Sequence, residues 1–505
     1  MRSVVARERA AAHCHHQICR TASGGYESPA DNTCVGVRMR EERVLIASFA
    51  QDTTRRVKLS PGLARAITGR TEMISSEANQ KSAVMPDAAG VSEALPSLPP
   101  LPPTFPPGVD PATYQLETVR RLLKSAAYFS IFSIHNPNVP NIPIPSPRDP
   151  GSLIGIEANE ELHRFEITVE EPTSECGLKA TNRVGEAVAS VHVKWMLIPD
   201  DFEAAPGRVP PPTELNPTRS QRFTFLDGQM KFKDHHGSGF RAFGAGRTFP
   251  VMIDNQLQLR VGAVVDVLEG FGKFKGLQGT VIVNGYLAPP QGLFLNFMIR
   301  LMDPAGKLRA SPHLTSLRRI PDPDPRSTFL VFLGEDDPDN PTTPSFTPTG
   351  IRANVHELLR LVHINFDVGT SKGIRSRTTT GPIVGRLSTT LSFNPQDPNQ
   401  VTPYTTSNGV FTFFDRRENP IGTLNADVVE GRAFRTELAG APLPVFRFGG
   451  FGPFIGGTGP FTGALGMLSM NAVISVFPRT LSNLYVMRIS DPDGKFRKAV
   501  GAAWS

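Results

Sequence analysis

The stretch GFGKFKGLQG (270–279) first invites a chemical reading, because glycines crowd round Lys273 and Lys275 as they do in loops that wrap a phosphate. Far downstream, GTGPFTGALG (457–466) repeats the spacing. Gly270, Gly272, Phe274, Gly276 and Gly279 return as Gly457, Gly459, Phe461, Gly463 and Gly466, each displaced by 187 positions (457 − 270). The lysines do not return, and Pro460, in the place of Lys273, has no N–H to offer an anion. Neither copy has the G-x-x-x-x-G-K-[ST] order, and each is followed by β-formers, TVIVNGYL (280–287) and MLSMNAVISVF (467–477), rather than by a helix. The clusters therefore read as a tight turn leading into a glycine-bearing strand where a curved sheet bends. A second group, His13, Cys14, His15, His16 and Cys19, carries metal-ligand side chains. It lies in a polar Ala/Arg/Ser-rich tail with no fold to hold four ligands, so it reads as adventitious, and no metal or cofactor is expected.

Polar residues inside strand-like runs form the third group. In FEITVEE (165–171), Phe165, Ile167 and Val169 share one face, and Glu166, Thr168 and Glu170 the other. In VHINFD (362–367), Val362, Ile364 and Phe366 alternate with His363 and Asn365. Two placements are open for the polar set: solvent, as in many antiparallel sheets, or a barrel interior. Asp227 and Asp415 occupy matching places in TFLDG and TFFDR, as strand-ending turn formers or as ligand contacts. Arg300 and Arg488 recur in MIRL and VMRI, facing solvent or pairing with an interior carboxylate. Asp303 and Asp491, in DPAGK and DPDGK, read as turns.

The elements that must hold these residues are β-strands. The chain has 505 residues, 39% hydrophobic, with 47 prolines and 45 glycines, which suggests two folded units plus irregular sequence. Its net charge of +6 is small for the length and makes no nucleic-acid patch. No apolar run is long enough to span a membrane, the start has no secretory apolar core, and Cys176 alone lies in the body, so a reducing cytoplasmic setting is expected. Residues 1–112 read as a disordered, proline-rich arm and 113–151 as a helix and proline-rich connector, with Leu116, Val119, Leu122, Leu123 and Ala126 on one helical stripe.

From about 152 onward short β-like runs alternate with turns, and the block occurs twice. GIEANEELHRFEI (155–167) echoes GIRANVHELLRLVHI (350–364), GRTF (246–249) echoes GRAF (431–434), and FMIRLMDPAGKLR (297–309) echoes YVMRISDPDGKFR (485–497). Matches in one order at displacements between 185 and 197 establish an internal duplication. The copies are expected at 152–320 and 346–505, joined by a linker at 321–345.

The glycine run followed by the last strands resembles the penultimate hairpin of the allene oxide cyclase and dirigent barrels, whose G-x-G-x-F-x-G-A-x-G pattern the second copy fits throughout and the first breaks at Leu277. FEITVEE is similar to the family's opening strand, with VHINFD as its weaker partner. The resemblance implies an all-β fold of two tandem eight-stranded antiparallel barrels. It implies cofactor-independent cyclisation, isomerisation or stereochemical steering of an apolar fatty-acid-, polyketide- or terpenoid-derived intermediate held in a lumen. Fixing a near-attack geometry contributes up to about 7–11 kcal/mol in the best intramolecular cases. By the same resemblance Glu166 matches a lumen carboxylate and Asn365 an asparagine that helps bind water. His363 stands at the glutamate position of the second copy and Thr168 at the asparagine position of the first, so neither copy keeps both residues. The catalytic candidates are thus Glu166, His363 and Asn365, with Thr168, Asp227, Asp415, Arg300 and Arg488 as ligand contacts. Partners are an apolar small molecule and, through the barrel exteriors, a second copy of the chain. The rival reading is a non-catalytic binding or assembly module. A lumen of about 300 Å³ or more favours the first reading, and side chains filling the barrels favour the second.

Overall fold

The computed structural model describes residues 125–498, apart from 136–138, 174–176, 289–291, 311–313, 348–349, 370–372, 394–400, 438–444 and 476–479, together with 117, 120 and 121. All belong to the compact unit spanning 101–505. The expected arm at 1–112, with its His/Cys group, and the helical-stripe residues Leu116, Val119, Leu122 and Leu123 lie outside the described residues. Glu117, Arg120 and Arg121 are helical.

Residues 127–135 of the expected helix and connector are not helical. AYFSIFSIH instead forms strand β1 (Ala127–His135), buried on both faces through Ser133 because it runs between the two copies of the repeat. Eight more strands follow: β2 (Ile142–Pro145), β3 (Leu153–Val169), β4 (Ala180–Ile198), β5 (Gln221–Phe232), β6 (Gly239–Ile253), β7 (Gln256–Phe271), β8 (Gln278–Ala288) and β9 (Gly292–Met302). Each pairs antiparallel with the next from β2 to β9, and β1 pairs with both β9 and β3. That last pairing closes β1 and β3–β9 into an eight-stranded antiparallel barrel, with β2 attached at the edge.

The second copy starts in the same way, inside the expected linker. Its strands are β10 (Ser327–Asp336), β11 (Thr343–Thr347), β12 (Gly350–Gly369), β13 (Gly373–Phe393), β14 (Thr402–Phe414), β15 (Pro420–Ala426), β16 (Glu430–Thr436), β17 (Val445–Gly457), β18 (Gly466–Ser475) and β19 (Thr480–Ser490). Both 113–151 and 321–345 therefore carry the first strand of their copy, a role their short length and flanking prolines disguised. The expectation of two tandem barrels is corrected here, and with it the dirigent-like, duplicated-barrel architecture that the resemblance implied. In the first copy β6 runs unbroken for 15 residues beside β7. In the second its place is taken by β15 and β16, interrupted at 427–429, which pair with different parts of β14. Asp427 and Val428 are drawn off the ladder, with Asp427 Oδ1 accepting from Gly409 N at 2.7 Å and Val428 N donating to Thr406 Oγ1 at 2.7 Å. The strands of this ten-stranded sheet do not close round one axis, although β10 pairs with β19 and β12 as β1 does with β9 and β3.

Both glycine clusters make one 3-10 turn, Gly272–Phe274 and Gly459–Phe461, and both are followed by a strand. Gly272 and Gly459 sit at φ +61, where a side chain is strained, and an added Cβ would meet the neighbouring backbone. Each turn drives its phenylalanine fully into a core: Phe274 against Phe129, Phe232 and Phe240, and Phe461 against Phe413 and Phe496. The chemistry of the clusters is backbone shape.

The copies face each other with a reciprocal pattern. Asn284 Nδ2 donates to Met467 O at 3.0 Å, and Asn471 Nδ2 donates to Thr280 O at 2.8 Å. Arg300 donates to Ser482 O and Asn471 O, while Arg488 donates to Phe294 O and Asn284 O. Residue i of one copy thus meets residue j of the other and the converse, the signature of a two-fold contact, here built within one chain. The hairpin arms exchange as well. Phe165, Ile167 and Val169 of β3 join the core of the second copy, and Phe366 and Ile374 join that of the first. Ala180 N donates to Phe496 O and Ser376 N to Leu308 O, which are equivalent bonds on the two sides.

Candidate functional site

Inside the first barrel lies a cavity of about 70 Å³. Its wall is almost wholly hydrocarbon, including Val191, Phe225, Met230, Val265 and Phe297, with Trp195, Ile156 and Leu293 half-buried. A carboxylic acid, Glu160, stands among these residues. Alternation along β3 turns Ile156, Ala158 and Glu160 inward. Glu160 Oε1 accepts from Asn141 Nδ2 at 2.8 Å and Oε2 from Ser133 Oγ at 3.2 Å, so its stem lines the cavity while its oxygens are held towards β1 and the segment before β2. Burial raises its carboxyl above the ordinary glutamate range, against the opposing pull of Asn141, His135 and Ser133.

The second copy has an acid at the same place. Glu160 pairs in register with His135, and Glu357 with Asp336, its counterpart on β10. The displacement from Glu160 to Glu357 is 197, that of the opening-strand echo. Glu357 is fully enclosed, with Oε1 accepting from Tyr485 Oη at 3.0 Å and Asn483 Nδ2 at 3.4 Å. Desolvation pushes its pKa up to about 8. Burial, then the adjacent Glu357, raises the Tyr485 hydroxyl as well.

The residues singled out from sequence lie elsewhere. Glu166 is buried at the seam between the copies, where Arg164 Nη2 donates to its Oε1 at 2.9 Å and also to Asn365 Oδ1. Two catalytic candidates are thus brought together, but around an arginine and outside the lumen. His363 is half-buried on the same strand as Asn365, opposite Thr379, and Thr168 is exposed opposite Thr181. Arg300 and Arg488 are wholly buried between the copies rather than aimed at the lumen; Arg488 pairs with Asp324, and Arg300 lies 5.2 Å from the Tyr128 ring. Asp415 folds onto its own turn, accepting from Arg417 N and Asn419 N. Asp227 is exposed at the rim of an outer cleft.

Sequence reading missed Glu160 because of one irregularity. Glu160 and Glu166 are an even number apart and would share a face in a regular strand. Beyond the register shifts between Leu162 and Phe165 the strand leaves the first interior, so that Phe165 and Ile167 join the core of the second copy while Arg164 and Glu166 lie at the seam. The same shift recurs between Leu359 and Val362. The available signal was the recurrence of Glu160 as Glu357 upstream of that point. No family model, curated protein or solved structure matches the chain. Among the described residues no group of His, Cys, Asp and Glu could hold a metal ion, and no helix is long and apolar enough to cross a membrane.

Proposed function

We propose that the first barrel is a binding chamber for one small apolar molecule and that the second copy braces it. The observation that carries this reading is the hydrocarbon-walled cavity in the lumen, bordered by a single acid. About 70 Å³ of open space is roughly half the ~150 Å³ of an apolar cavity that binds benzene, so a benzene-sized guest makes the lining side chains give way. That is below the ~300 Å³ of a pocket for a drug-sized ligand. The guest class is therefore a ring or short chain of benzene-like size, and a full-length fatty-acid derivative requires the barrel to widen.

A second reading, intramolecular isomerisation or cyclisation of that guest, is favoured by Glu160. Its raised pKa keeps a larger share of the acid protonated near neutrality, and a protonated carboxyl can donate to an oxygen or double bond of the guest once it turns from Ser133 and Asn141. The resemblance to allene oxide cyclases points to the same reaction type, with Glu160 taking the place expected of Glu166.

Native mass spectrometry of freshly purified full-length chain, with added benzene as a second arm, tests the chamber. A co-purifying guest or saturable benzene binding is expected, and Ala242→Phe, which fills the lumen, should abolish it. Absence of both in the native chain, or binding unchanged in Ala242→Phe, would rule the chamber out. Once a guest is identified, Glu160→Gln should leave its binding intact and remove any turnover if the second reading holds.

A further inference from the structure

The geometry points to a bipartite site in which the lumen is joined, through the wall of the barrel, to the cleft outside it; this rests on the chamber proposed above. The outer cleft is a separate space of about 200 Å³ on the far side of β5 and β6, roofed by the turn at Pro206–Val209. Gly228 and Ala242 line both cavities. One glycine and one alanine therefore make up the partition, and these are the smallest side chains a wall can have.

The ladder is also interrupted beside them. Phe225 pairs with Gly244 and the next pair is Gly228 with Ala242, so Leu226 and Asp227 bulge out opposite Phe243. Asp227 sits at φ +53, a left-handed conformation that aspartate tolerates better than most residues. A barrel gains stability from continuous pairing, and this one forgoes it where its interior and an outer cleft are closest.

The two chambers differ in chemistry. The lumen is hydrocarbon, while the cleft carries the guanidinium groups of Arg208 and Arg241 against the single carboxylate of Asp227. Arg208 lies over the Phe202 ring at 4.5 Å and spends one N–H on Glu203 O. Arg241 makes only a loose, exposed pair with Glu269 at 3.9 Å. Both retain donors for a bound anion. The ligand class that fits is a short amphiphile: an apolar part of about six carbons in the lumen, reached past the bulge at Leu226–Asp227, and an anionic head between the two arginines.

Trp195 lines the lumen, and the only other tryptophan is Trp504, so fluorescence of the full chain carrying Trp504→Phe reports on lumen occupancy. Benzene, hexan-1-ol and hexanoate would each be titrated. All three should perturb Trp195, with hexanoate binding at least about tenfold more tightly than hexan-1-ol. The double substitution Arg208→Gln and Arg241→Gln should bring hexanoate to the level of the alcohol and leave benzene unchanged. If benzene binds but hexanoate holds no advantage, or keeps its advantage in the double variant, the bipartite site is wrong while the chamber stands. If none of the three perturbs Trp195, both fall.

Discussion

In the first copy Phe297 and Leu295 face the lumen, and at the matching positions, 188 further on, the second copy has Tyr485 and Asn483. Both of the latter hydrogen-bond to Glu357, the counterpart of Glu160. Where the first copy has Ser133, which bonds to its acid, the second has Gly334, and any Cβ there would collide with the Glu357 carboxyl. One strand plan with one acid has thus been finished in two ways. In the first copy the acid is drawn to the wall and the interior remains open. In the second a phenol and an amide both close on Oε1 of the acid, and they occupy the positions that line the lumen in the first. Between the copies the hydrocarbon of Phe297 and Leu295 is replaced by the hydroxyl and amide of Tyr485 and Asn483, which give the buried acid of the second copy the donors that Ser133 and Asn141 give that of the first.

The seam shows the same divergence in its charges. Arg488 is neutralised by Asp324, which also accepts from Tyr286 Oη at 2.8 Å, whereas Arg300 meets only neutral acceptors, Ser482 and Asn471. Burial lowers the Arg300 pKa accordingly. Asp324→Ala strands a guanidinium in the core and should destabilise the chain by about 3–5 kcal/mol, while Arg300→Met should cost no more than about 1–2 kcal/mol. Urea unfolding of the two variants checks this; equal losses would mean that the charge asymmetry has no energetic consequence.

The acids give the next largest effect. Glu357 has a folded-state pKa of about 8 against an ordinary 4.5, so the native chain binds the extra proton between those values. Its contribution is complete below about 4.5 and is lost as pH rises through about 8, by an amount on the order of a few kcal/mol. Urea midpoints should fall across this window, and Glu357→Gln should flatten that part of the profile. A slope unaltered in Glu357→Gln would assign the proton elsewhere.

Tyr485→Phe installs the residue of the first copy in the second. It removes one hydrogen bond to a buried carboxyl and should cost roughly 1–3 kcal/mol. The reverse change, Phe297→Tyr, should cost less, since its hydroxyl enters an open lumen, and should weaken guest binding. Thermal melts of both variants decide the point, and identical losses would contradict the picture of one filled and one open interior.

The duplication, the β character and the turn chemistry of the glycine clusters were legible in the residues, because they depend on local preference and spacing. Phe274 and Phe461 return at one offset, and the turn they cap needs no distant partner to be recognised. The lumen acid was half legible. Its recurrence as Glu357 is written in the opening-strand echo, but how far along β3 and β12 the residues line an interior depends on pairing with β4 and β13 and on closure. Nor could spacing reveal that Arg164 would gather Glu166 and Asn365. Arg164 and Asn365 lie 201 positions apart and meet only because the hairpin arms cross between the copies.

By itself the sequence determined a repeated β-strand plan, its turns and a pair of equivalent glutamates, all of which follow from backbone preference and the order of side chains. Tertiary structure alone decided that the first copy closes and the second does not, which strand faces are inside, and where the space remains. Closure and cavities depend on pairing and volume summed over strands far apart in the chain, and no local stretch carries that sum.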